Sequence, residues 1–107
     1  MTLPIQRLPS HLIPVLLKTG VRKATPSLQC LVSKSGDSNS HYAIVVGVKI
    51  QKSAVKRNRM KRIIRAALAQ ILPALPHPID CVVMVKKDCS MKNSGEMQQE
   101  LGVLKTL

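Results

Sequence analysis

An α+β fold, one sheet with helices packed on it in the order α-β-β-(β)-α-β-α, is what the pattern of this chain predicts. Three observations predict it. Apolar residues recur at helical spacing from Met60 to Ile71. Two β-branched runs, residues 42–48 and 81–85, flank that segment and read as buried strands. A length of 107 residues suits one core, so residues 1–107 are expected to form a single domain.

Taken from the N-terminus, Ser10 is a candidate cap for a short helix over residues 11–19, with Gly20 as its stop. Pro14 restricts that helix to a short or late start, because proline fits only the first turn. After the Thr25-Pro26 break, residues 28–32 are a brief β-type run. The Ser/Gly/Asp/Asn cluster over residues 33–40 reads as a hairpin loop. Residues 42–48 are continuously apolar, as a strand covered on both faces would be. Over residues 54–72 the period changes. Met60, Ile63, Ile64, Ala67, Leu68 and Ile71 form one stripe of a helix that Ser53 caps and Pro73 stops. Pro76 and Pro78 stiffen the link to the next strand. Asn93 with Glu96 is a capping-box pattern, and Met97, Leu101 and Leu104 give a last helix its apolar side. The core lacks Phe and Trp and has Tyr42 as its one aromatic, so aliphatic side chains must fill it.

Seventeen Lys and Arg against five Asp and Glu give +12 at pH 7, with a pI near 10.3. A small domain so positive repels itself, and a polyanion accounts for the excess: nucleic acid first, an anionic membrane surface second. Cys30, Cys81 and Cys89 form no CxxC pair and are read as reduced residues of the core or its boundary in a cytoplasmic protein. His11, His41 and His77 stand at no metal-ligand spacing, which argues against a zinc site. Pro4, Pro9 and Pro14 interrupt the apolar residues of the first twenty, so neither a signal peptide nor a membrane span is expected there.

The charge is concentrated. Lys49, Lys52, Lys56, Arg57, Arg59, Lys61, Arg62 and Arg65 place eight of the seventeen cations in residues 49–65, and no acid lies between Ser38 and Ile79. On a helix, Asn58, Lys61, Arg62 and Arg65 point away from the apolar stripe, while Arg57 and Arg59 flank it. Guanidinium groups grip phosphate oxygens in bidentate fashion and stack on exposed bases. Asn58 adds a donor and an acceptor suited to a 2′-hydroxyl or a base edge. An ordinary solvated helix face mixes signs to gain i,i+4 pairs; this one leaves its repulsion uncompensated unless a polyanion neutralises it.

The run Ala54-Val55-Lys56-Arg57-Asn58-Arg59-Met60-Lys61-Arg62-Ile63-Ile64-Arg65 resembles the AVxRNRxKRxxR signature of the bacterial ribonuclease P protein component. Arg7-Leu8, the helix ending Lys18-Thr19-Gly20, and the Asp80–Lys87 strand follow that family's order. The resemblance implies a left-handed βαβ crossover around the arginine helix. It implies a protein that binds the catalytic RNA of ribonuclease P and the 5′ leader of precursor tRNA, and so assists removal of the leader. It is thus an enzyme component whose chemistry the RNA carries. Mg²⁺ would act with that RNA, and no cofactor is expected on the protein alone. By the resemblance, Lys49, Arg57, Asn58, Arg59, Lys61, Arg62 and Arg65 match the RNA-contacting motif, and Lys52 and Lys56 of the same cationic run are expected to contact RNA beside them. Neither membrane nor DNA is expected as a partner.

Three departures stand out. The run Lys49-Ile50-Gln51-Lys52 lacks the adjacent second lysine and the glycine that the family carries before its motif. Ile13, Leu17 and Leu28 replace the rings of the family's N-terminal helix and first strand, so the leader groove is expected here in aliphatic form. The sequence stops at Leu107 without the basic tail of some members. The alternative is a ribosomal or other structural RNA-binding protein, which would share charge and size but not the motif. A membrane-surface helix would need Trp or Phe on its apolar face, and an RRM-type binder would need exposed stacking aromatics.

Overall fold

The computed structural model of the chain describes residues 5–36, 39–75, 77–89, 91–102 and 104. Expectations for Pro76 and for residues 37 and 38 of the polar loop fall outside these.

Strands β1 (Ile5–Arg7), β2 (Val21–Ala24), β3 (Leu28–Lys34), β4 (Ser40–Val45) and β5 (Ile79–Val85) join in one sheet, in the order β1-β4-β5-β3-β2. Among the described residues three helices pack on it: α1 (Ile13–Thr19), α2 (Ala54–Ile71) and α3 (Ser94–Leu101). β4 and β5 are parallel neighbours joined through α2, the βαβ unit that the resemblance implies. β1 is parallel to β4, and β3 is antiparallel to both β5 and β2.

Alternation along the strands decides which helix lies where. Leu28, Cys30 and Val32 of β3, Tyr42 of β4, and Cys81, Val83 and Val85 of β5 face one way, onto Met60, Ile64, Ala67, Leu68 and Ile71 of α2 and Met97 and Leu101 of α3. Leu31 and Val82 face the other way and meet Leu16 of α1, with Ala43 and Met84 beside them. The aliphatic core therefore has two compartments, a large one under α2 and α3 and a small one under α1. Ile64 has no solvent exposure. Ile64→Ala should lower stability by about 2–5 kcal/mol, read as a drop in the urea midpoint.

Helix ends follow local chemistry. The Ser53 side chain accepts from the Lys56 amide and starts α2, which runs into a short 3₁₀ turn, Leu72–Ala74, carrying Pro73. Asn93 and Glu96 form a complete capping box at α3.

The structure corrects four expectations. Two edge strands, β1 and β2, join where one extra strand was allowed for; at three and four residues they are too short to show a period. Residues 33–40 do not close a hairpin, because β5 lies between β3 and β4. The hairpin is β2–β3, where Thr25 bonds Leu28 through both its amide and its hydroxyl. Ser10 is no helix cap: it begins a 3₁₀ turn, Ser10–Leu12, whose own cap position is Pro9. Gly20 does stop α1, as expected, though without a left-handed turn; a Cβ there would stand 2.7 Å from the Leu16 carbonyl oxygen, so glycine permits the close turn into β2. The strand over residues 42–48 also ends early, at Val45.

Candidate nucleic-acid interface

The parallel crossover lays α2 along the sheet with its apolar stripe down. Asn58, Lys61, Arg62 and Arg65 recur at i, i+3, i+4 and i+7, so they share one flank of the helix. That flank looks toward the β4–β1 edge. There Arg7 pairs in register with Tyr42, and both side chains lie on the α2 side of the sheet. The result is a cleft of about 310 Å³ with Tyr42 and Ile44 at its floor and Arg7, Asn58, Lys61, Arg62 and Arg65 around it.

Among the described residues no acid lines this cleft. The four acids among the described residues have other partners. His41 Nδ1 donates to Asp80 Oδ1 at 2.7 Å, on the face that Tyr42, the next residue along β4, turns away from. Asp88 accepts from Gln51 at 2.7 Å. Glu96 completes the α3 cap, and Lys92 donates to Glu100 at 3.3 Å. The cleft cations therefore repel one another with no internal counter-charge at the cleft wall, and a bound anion relieves that repulsion.

The remaining predicted contacts divide. Lys49, Lys52, Lys56 and Arg59 are exposed but do not line the cleft. Arg57 is half-buried, and its Nη1 donates to the carbonyls of Gln51 and Lys52, at 2.9 Å each. It thus holds the loop to the first turn of α2 as well as carrying charge. Gln51 reinforces that loop, accepting from the Ser53 amide while donating to Asp88. The tie spans the place where the family's glycine is missing.

For the expected leader groove, the structure separates three residues treated as one set. Leu28 is corrected: it has no exposure and lies under α2 and α3, so no RNA reaches it. Ile13 is half-buried against the small compartment beneath α1. Leu17 is 44 % exposed on α1.

Sequence reasoning missed Arg7, Tyr42 and Ile44 as parts of the site. Arg7 sits in a three-residue edge strand that reaches the cleft only through its parallel pairing with β4. The signal available was alternation alone, since Tyr42 and Ile44 are two apart and share a face.

Among the described residues no three His, Cys, Asp or Glu side chains converge. No helix there is long and apolar enough to cross a membrane. The thiols are held out of chemistry. Burial pushes Cys30 up to about 11, and it raises Cys81 and Cys89 as well. A thiol reagent at pH 8 should therefore modify none of the three in the folded chain and all three after denaturation, as a colorimetric thiol titration would show.

Comparison with known proteins converges on one family. The family model described as Ribonuclease P matches residues 10–106. The ribonuclease P protein component of Synechococcus elongatus is 33 % identical over 98 residues, covering 87 % of this chain and 80 % of that protein. That of a Pseudanabaena species is 41 % identical over 68 residues, covering 61 % of this chain and 59 % of its own. The solved RNase P protein of Thermotoga maritima superposes with a TM-score of 0.80 at 25 % identity, covering 94 % of this chain and 96 % of that one. The Staphylococcus aureus RNase P protein gives 0.77 at 20 % identity, covering 94 % and 93 %, a likeness of fold.

Proposed function

Because the chain belongs to the ribonuclease P protein family, we propose that the α2 flank bearing Asn58, Lys61, Arg62 and Arg65 docks on the catalytic RNA of ribonuclease P. The chain is a subunit of ribonuclease P in tRNA processing, and hence part of a ribonucleoprotein endonuclease. The observation that carries the docking proposal is the cleft wall itself, several cations and one amide with no acid among the described residues that line it. Lys49, Lys52, Lys56, Arg57 and Arg59 extend the same positive surface around the start of α2 and steer the RNA toward it.

In this reading the hydrolysis belongs to the RNA with Mg²⁺, the protein holds no cofactor of its own, and both work in the cytoplasm on precursor tRNA. The protein lowers the repulsion between catalytic RNA and substrate. The leader of the precursor runs along the opposite face of the sheet beside α1, where Leu17 is exposed and Ala43 and Val45 of β4 are only partly covered. Leu17→Phe should then tighten precursor tRNA relative to mature tRNA by about fivefold or more, because a ring adds base stacking that leucine lacks. A competition binding assay reads this directly, and equal binding of the two would place the leader elsewhere.

The test of the whole reading is cleavage of precursor tRNA by ribonuclease P RNA at low Mg²⁺, with and without the protein. Cleavage should rise on adding protein. No rise, in a folded and RNA-bound sample, contradicts the assignment of this chain to that reaction.

A further inference from the structure

We propose that the cleft between α2 and the β4–β1 edge takes one unpaired nucleotide turned out of the partner RNA, its base against Tyr42 and Ile44 and its phosphate among Arg7, Arg62 and Arg65. The inference rests on the RNA-binding reading above and adds to it a kind of ligand, an extruded nucleotide rather than a stretch of duplex backbone.

Three properties of the cleft support it. Its volume of about 310 Å³ lies at the small end of ligand pockets, which run from about 300 to 1,000 Å³. That is room for a single nucleotide, and far too little for a double helix. The lining is two-sided. A surface that only docks on phosphates needs cations and nothing more, but here the cations stand around an apolar floor. Ile44 and Tyr42, which both line the cleft, offer cover to an unstacked base, and the one aromatic residue of the chain lies here rather than elsewhere in the core. Finally, Asn58 stands at the rim with both a donor and an acceptor, which a base edge can engage once it has left its Watson–Crick partner. A paired base shows neither its face nor that edge.

The cations also come from two separate elements. Arg7 lies on the sheet edge, and Arg62 and Arg65 lie a turn apart on α2. A phosphate between them is approached from two sides, the geometry that holds a single phosphodiester in place better than a one-sided stripe does.

The test uses the full chain and two short RNA hairpins, identical except that one carries a single unpaired 4-thiouridine bulge. The bulged hairpin should bind roughly tenfold tighter than the fully paired one, the scale of one base finding a stacking or apolar partner. Irradiation should attach the 4-thiouridine to the peptide containing Tyr42 and Ile44. In Ile44→Trp, where an indole fills the cleft and every cation remains, the ratio of the two affinities should fall to about one. Equal affinity of the two hairpins for the unaltered chain overturns the proposal, as does a crosslink that maps to another surface. The crosslink on the unaltered chain decides the matter even where Ile44→Trp fails to fold. If these tests fail while the protein still supports precursor-tRNA cleavage, the nucleotide site alone is lost. If cleavage support is absent too, the reading beneath it falls as well.

Discussion

Replacing Arg62 and Arg65 together by alanine should weaken binding of ribonuclease P RNA by about 100-fold or more while leaving the fold intact. Both side chains are exposed and line the cleft, and neither belongs to the buried stripe of α2. Alanine is also the best helix former, so the backbone of α2 is not weakened by the change. A hydrogen bond to a charged group contributes about 1.5–3 kcal/mol, so two lost contacts remove at least about 3 kcal/mol, or two decades of affinity. The two cations are a turn apart and couple, which is why the lower end of the sum is the expected one. Titration of labelled RNA against the variant, with circular dichroism to confirm folding, measures it. An affinity within a few-fold of the unaltered chain would remove the cleft from the interface.

Salt should have an effect of similar size. If about four of the eight cations in residues 49–65 meet phosphates, affinity for the catalytic RNA falls with a log–log slope of roughly −3 to −4. Between about 50 and 200 mM salt that is a loss of roughly 60- to 250-fold. All of these cations except the half-buried Arg57 are exposed, and exposed charges are screened within a Debye length of about 10 Å at 0.1 M. An affinity that barely moves over this range would mean that the positive face of α2 is not where binding energy arises. Combining the two experiments sharpens both: the Arg62 and Arg65 double variant should show a shallower slope than the unaltered chain, by about two.

The parts of the molecule that were legible in the sequence are those in which one local rule acts alone. α2 was legible end to end because its stripe repeats from Met60 to Ile71 between a serine cap and a proline. The capping box of α3 and the buried strand β5 were legible for the same reason. What was not legible depends on pairing across the chain. β5 inserts between β3 and β4, and nothing in the polar loop at residues 33–40 distinguishes a turn that closes a hairpin from one that leaves room for a third strand. β1 exists because β4 offers it an edge, and three residues carry no period of their own. The cleft was half legible: its helix wall followed from spacing, whereas Arg7 and the floor came only with the register of β1 on β4. Leu28 shows the opposite error. Matching it to a ring in the family placed it in a groove, but its parity within β3 turns it to the α2 side, where it is fully buried.

The position of the catalytic RNA on the protein can be read by site-specific crosslinking. The three native thiols are buried with raised pKa values, so a single introduced cysteine can carry a photoreactive group without their removal. Asn58→Cys places that group at the cleft rim. Gln99→Cys places it on the exposed side of α3, a helix whose N-terminal approach is tied to the β2–β3 turn through Lys92 and Ser27, away from the β4–β1 edge. Ribonuclease P RNA should crosslink efficiently from position 58 and scarcely at all from position 99. Crosslinking that is equal from the two positions, or stronger from position 99, would contradict the claim that this protein meets its RNA through the cationic flank of α2.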